Sequence, residues 1–320
     1  MKKFHFPFIF CLLILFSCQN KSKENQEIVT DMTNISGSVN LDGSTLNYYI
    51  KGKGLPFVVI GSDPEYFSKD LQNSFRFYFI ETRLNAKNYE PVDTLKYDFD
   101  NLLKDIDTLR SVLGLEKFII GGHSVMGAIA HQYAKENPEY VSGVILIATP
   151  RTFGTPTYTD AVKVYWESAS EERKKVYEER QRQLKAVKNN HLNPRETFIK
   201  TLVASGPKRW HDANFDATAH FDRVHYNLDF LNHLFGNVIT KYDLCSPAEK
   251  LNIPVFAAIG KSDYIGPYTL WYKECQQLSN LTIFLFERSG HTPQFEQSTL
   301  FNERLVDWAK KELVLEKEAE

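Results

Sequence analysis

The chain has 320 residues, a formal net charge of −2 and 42% hydrophobic residues. That length suffices for one large α/β domain with an insertion, and the near-balanced charge carries no basic excess of the kind that draws nucleic acid. Cysteines are few, at four: Cys11 and Cys18 belong to the N-terminal leader, and Cys245 and Cys275, whose spacing matches no metal motif, are a possible pair in an oxidising envelope and are otherwise expected to be ordinary buried thiols unless the fold brings them within bonding reach.

Lys2 and Lys3 give the N-terminus a positive start, and Phe8 to Phe16 is an apolar stretch too short to span a bilayer. Leu15-Phe16-Ser17-Cys18 has the form of a bacterial lipobox. Residues 1–17 are therefore expected to be a lipoprotein signal peptide, with Cys18 lipidated after cleavage, and the polar stretch 18–36 a flexible tether. This predicts a lipid anchor in a bacterial membrane and a place in the cell envelope.

Two short strands are expected around Gly37 to Leu41 and Leu46 to Lys51, joined at Asp42-Gly43, a strong hairpin signal. Buried strands then recur at Val58, Tyr78, Ile119, Val144, Phe256 and Ile283, with helical patterns from Leu95 to Leu113 and from Ser124 to Asn137. Strands alternating with helices specify an α/β fold around a mostly parallel sheet, with core segments 37–150 and 251–320. No internal repeat is visible.

The run Phe118-Ile119-Ile120-Gly121-Gly122-His123-Ser124 stops at glycines, presents one serine and resumes with helical spacing at Val125-Met126-Gly127. A serine on such a strand-to-helix turn stands above the sheet edge, with the amide of Val125 aimed at any negative charge near its oxygen.

The alternation breaks at Pro150 and returns near Ile253, so 151–250 is expected to be a helical cap over Ser124. Glu171 to Lys188 is a charged run. Glu171 with Lys175 and Glu178 with Arg182 sit one helical turn apart, and Val176, Tyr177, Leu184 and Val187 supply an apolar side, as in a helix with a solvated charged face. The later cap is rich in aromatics, among them Trp210, Phe215, Phe221, Tyr226, Phe230 and Phe235, suited to a cap core or a pocket wall. Its histidines have no H-x-x-x-H pairing, and no metal site is predicted.

Past the cap, an apolar strand ends at Gly260 and delivers Asp263, and a second, from Leu281, is followed by His291. Both lie where open α/β sheets bind ligands. The order Ser, Asp, His is that of an α/β-hydrolase, not of the chymotrypsin or subtilisin types.

From Phe57 to about Lys311 the chain resembles the α/β-hydrolase superfamily, through Gly122-His123-Ser124, Gly260-Lys261-Ser262-Asp263 and Ser289-Gly290-His291-Thr292-Pro293-Gln294-Phe295-Glu296. It is most similar to the proline-iminopeptidase-like branch with an inserted cap, whose members recognise a substrate amine through acidic cap residues. The resemblance implies Ser124 as nucleophile, His291 as general base and then acid, and Asp263 as the group that orients His291. Three departures stand out. Met126 replaces the small residue two after the serine; Gly61-Ser62-Asp63-Pro64 replaces a His-Gly-Gly-Pro-Gly segment, so that Ser62 would join Val125 in the oxyanion hole; and of an Asp-x-Arg-Gly-x-Gly-x-Ser segment only Arg83 remains. The expected activity is cleavage of a small ester or amide, including a short peptide, through an acyl-enzyme and without a cofactor. The alternatives are an acyltransferase of the same fold and a non-catalytic ligand-binding lipoprotein.

Overall fold

The computed structural model describes residues 34–86, 98–188, 192–223, 225–246, 250–271, 275 and 278–314. Cys18, the expected leader, the tether up to residue 33 and the first residues of the helix expected from 95 lie outside them.

The hairpin pairs β1 (Asn34–Leu41) with β2 (Ser44–Lys51) in antiparallel register. Its turn residues Asp42 and Gly43 have φ of 50° and 84°, the left-handed pair that a two-residue hairpin turn requires. β1 begins inside the stretch expected to be tether: Asn34, Ile35 and Ser36 pair with Lys51, Ile50 and Tyr49. The turn fixes the register, so the ladder runs on as far as β2 offers partners.

Six further strands are parallel: β3 (Leu55–Ile60), β4 (Phe75–Ile80), β5 (Phe118–His123), β6 (Val141–Ile147), β7 (Val255–Gly260) and β8 (Leu281–Phe286). The eight-stranded order is β1-β2-β4-β3-β5-β6-β7-β8. The period-2 alternation of the strands feeds two cores. Val58, Ile60, Ile120 and Leu146 face one side, with α1 (Phe99–Val112) and α2 (Val125–Glu136); Phe57, Val59, Ile119 and Ile145 face the other, under Phe301, Leu305 and Trp308 of α8 (Ser298–Ala309). Arg83 is buried in the structural frame: its Nη2 lies 2.6 Å from Asp105 Oδ1, and its backbone N–H donates to Asp105 Oδ2 at 2.7 Å.

Between β6 and β7 lies a helical insertion: α3 (Pro156–Glu167), α4 (Glu171–Lys188), α5 (Pro194–Ala204), α6 (Thr218–Arg223) and α7 (Leu228–His233). The ion pairs along α4 run Glu171–Lys174 and Glu179–Arg182, one place from the expected partners. Two of its arginines also work inward. Arg173 donates to the carbonyls of Pro207, Trp210 and His211, and Arg180 to those of Val203, Asn214 and Phe215, satisfying chain that has no regular ladder.

The neck of the insertion is closed by the bridge between Thr152 and Asp243 and by Arg151 Nη1 at 2.9 Å from Asp243. Just beyond it, Cys245 and Cys275 form a disulfide, with Cα atoms 5.1 Å apart. Of the two alternatives open for these cysteines, the structure shows the bonded pair and not ordinary thiols: pairing depends on how the fold returns the chain, which sequence spacing does not encode.

Candidate active site

β5 ends at His123, and α2 starts immediately after Ser124, so the chain must reverse at one residue. Ser124 does this at φ 57° and ψ −126°, a sparsely populated conformation for a residue with a side chain. Its N–H donates to Ile147 O at 2.8 Å, and its carbonyl accepts from Thr149 Oγ1 at 2.9 Å. A side chain at Gly122 would meet the Met126 backbone at 2.5 Å, so glycine is demanded there. Met126, the departure from the family pattern, is buried, and its thioether runs alongside Gly61 at the start of the Ser62 loop.

Asp263 is fully buried just past β7. Its Oδ1 accepts from the N–H groups of Ile265 at 3.0 Å and Gly266 at 2.9 Å, and Oδ2 lies 2.6 Å from His291 Nδ1. That bond places a proton on Nδ1 and leaves Nε2 of a neutral ring as an acceptor. Among the described residues the Ser124 hydroxyl makes no hydrogen bond to His291.

A cavity of about 50 Å³ is lined by Ser62, His123, Arg209, Trp210, Tyr226 and His291, among others. Of the expected site residues, Ser62 and His291 thus face it. Asp263 sits behind His291, while Ser124 and Val125 follow its lining residue His123 along the chain and are not part of its wall. The N–H groups of Ser62 and Val125 have no hydrogen-bond acceptor among the described residues; for Val125, first in α2, this is the normal condition of a helix N-terminus.

Three further groups organise the site without having been singled out by sequence. His123 Nε2 donates to the His291 carbonyl at 2.6 Å, and burial, together with the neighbouring His291, pushes the His123 pKa down to about 3. Glu296 accepts from the N–H groups of His211 at 2.7 Å and Gly290 at 2.9 Å and from Thr292 Oγ1 at 2.9 Å, with burial pushing its carboxyl up. The segment from Gly206 to His211 is stitched onto both loops: Lys208 O accepts from Tyr264 N–H at 2.9 Å, Arg209 O from His291 N–H at 2.5 Å, and His211 Nδ1 meets Ser262 Oγ at 2.9 Å. The chain passes so close that a side chain on Gly290 would lie 2.1 Å from Arg209 O. From α3, Tyr158 donates to Ile265 O at 2.7 Å and Tyr165 to Lys261 O. The only prior signal for Glu296 was its place in the motif that carries His291.

Comparison with known proteins agrees with this architecture. Residues 61–298 match the family described as alpha/beta hydrolase fold. A Bacillus subtilis (strain 168) protein named AB hydrolase superfamily protein YclE is 29% identical over 277 residues, covering 85% of this chain and 98% of that protein. Among solved structures, an alpha/beta fold family hydrolase from Bacillus anthracis str. Sterne superposes with a TM-score of 0.65 at 18% identity, over 86% of this chain and 99% of its own. A proline iminopeptidase-related protein from Thermus thermophilus does so with a TM-score of 0.64 at 17% identity, over 88% and 99%. With the eight-stranded sheet and the loops described above, the chain belongs to the alpha/beta hydrolase fold family and is, by family, a hydrolase.

Proposed function

We propose that the protein cleaves a small ester or amide through an acyl-enzyme on Ser124. Ser124 Oγ attacks the substrate carbonyl while His291 Nε2 takes its proton; the same proton then goes to the leaving group, and water, activated by His291, releases the acyl group. Asp263 fixes the tautomer of His291 and stabilises its cation. The N–H groups of Val125 and Ser62 receive the oxyanion, one such donor being worth about 3 kcal/mol in the transition state. The reaction calls for no cofactor.

The observation that carries this reading is the 2.6 Å contact from His291 Nδ1 to a fully buried carboxylate, Asp263. It supports a histidine held ready to accept a proton at Nε2, on the same sheet edge as a serine kept at positive φ. The test is turnover of p-nitrophenyl acetate by Ser124→Ala. Loss of about a thousandfold or more in kcat with an unchanged unfolding midpoint is expected; near-parental turnover would reject Ser124 as the nucleophile.

The lipobox reading of Leu15 to Cys18 places the protein on a bacterial envelope membrane, and the Cys245–Cys275 disulfide is the kind of bond that persists in such an oxidising compartment. Cys18→Ser in the full-length chain should abolish detergent-dependent extraction or leave an uncleaved precursor. A product that is soluble and the same size with and without the substitution would refute the anchor.

A further inference from the structure

Arg209 has its backbone committed to the His291 loop and is itself one of the residues that line the cavity beside it. The carbonyl accepts the His291 N–H, Nε donates to Ser205 Oγ at 2.7 Å, and Arg209 lines the cavity together with His291 and Ser62. Its two terminal nitrogens make no hydrogen bond or ion pair with any described residue. Desolvation works against the cation, lowering its pKa. Arg209 is only partly exposed, and its terminal donors, without a partner among the described residues, are left for water or a ligand to fill.

The nearby acids do not. Asp263 feels the Arg209 charge, but its oxygens are taken by His291, Ile265 and Gly266. Asp63, also in the cavity wall, lies 2.8 Å from Arg223 Nε. His123 is held neutral by its burial. Among the described residues, the formal charge presented to the cavity without a direct counter-ion is therefore positive.

We propose that Arg209 recognises a carboxylate on the substrate, so that the ester or amide cleaved at Ser124 is anionic. The inference rests on the serine-hydrolase reading and narrows its substrate class. A planar fork of N–H donors matches a carboxylate in two parallel bonds, and the cavity seats that carboxylate next to the histidine that serves the chemistry. A substrate with a free ammonium group would meet the same cation and be repelled, so an aminopeptidase substrate fits this wall poorly. Neither half of the device is visible in sequence, because Arg209 reaches His291 only through the folded insertion.

Binding to the full chain carrying Ser124→Ala tests this without turnover. Monomethyl succinate, an anion, and dimethyl succinate, its neutral counterpart, are titrated by calorimetry. The anion should bind at least tenfold more tightly; adding Arg209→Met should reduce the ratio to about one, and Arg209→Lys should restore part of it. Equal binding of the two esters, binding of neither, or a ratio that survives Arg209→Met overturns the proposal. Where Arg209→Met fails to fold, Arg209→Gln, which keeps a donor for Ser205 but no charge, takes its place with the same expected ratio of about one, and a ratio that survives it overturns the proposal. Charge-blind binding in a protein whose Ser124 reacts with a fluorophosphonate rejects the role of Arg209 alone. Charge-selective binding without that reactivity rejects the catalytic reading alone.

Discussion

Ser124 is held at φ 57° by hydrogen bonds on both sides of its peptide unit, a conformation that costs of order 1–3 kcal/mol and persists because the sheet and α2 impose it. Beside it, His123 donates to the His291 carbonyl, linking the serine turn to the histidine loop. Its pKa near 3 makes it a stability element with a definite pH signature. Between about pH 3 and 6.5 the unfolded chain binds a proton at this imidazole that the folded chain refuses, so stability rises with pH across that window and is lost as pH falls. Denaturant titrations from pH 6 to 4 should show a steeper loss for the parent than for His123→Gln, by up to about 1.4 kcal/mol per pH unit. Parallel profiles would mean that His123 takes up its proton without unfolding. Sequence placed Ser124, Asp263 and His291 after three separate strands, but not His123, Glu296 or Arg209, whose roles depend on partners the fold brings from far along the chain. Arg83, the surviving residue of a family motif, proves to serve the frame through Asp105.

At the level of elements, α4 was legible end to end, because alternating charge and an apolar stripe at helical spacing leave few other solutions. What its charges do was not. Arg173 looks like one more solvated residue, yet it donates to three carbonyls of the segment that holds His291 in place through Arg209 O. The insertion is accordingly tied into the loop that carries His291 and supplies part of the cavity wall. Arg173→Met should destabilise the protein by about 1–3 kcal/mol through the unpaired carbonyls and lower p-nitrophenyl acetate turnover several-fold, with Arg173→Lys intermediate. Unchanged turnover in the folded variant would show that the His291 loop keeps its geometry without that segment. The start of β1 is not legible in sequence for a different reason: Ile35 alone between the polar Asn34 and Ser36 continues a polar stretch rather than marking a strand, and the three residues are held by pairing with β2.

On the scale of the whole molecule, a parallel sheet carries its loops to one edge, and β3, β5, β7 and β8 bring Ser62, Ser124, Asp263 and His291 there from distant parts of the sequence. Strand alternation made this architecture readable, since each buried strand has its own apolar run and the crossover helices fill the gaps. The closure of the insertion was not readable: the Thr152–Asp243 bridge and the Cys245–Cys275 disulfide join stretches whose approach only the fold determines. The central claim is that this edge makes Ser124 a nucleophile, and its most direct test is mass spectrometry of the purified chain after treatment with a fluorophosphonate. One covalent adduct on the peptide containing Ser124, absent in Ser124→Ala and strongly slowed in His291→Ala, is the predicted result; an unmodified Ser124 in the folded protein, or an adduct that persists in Ser124→Ala, would contradict it.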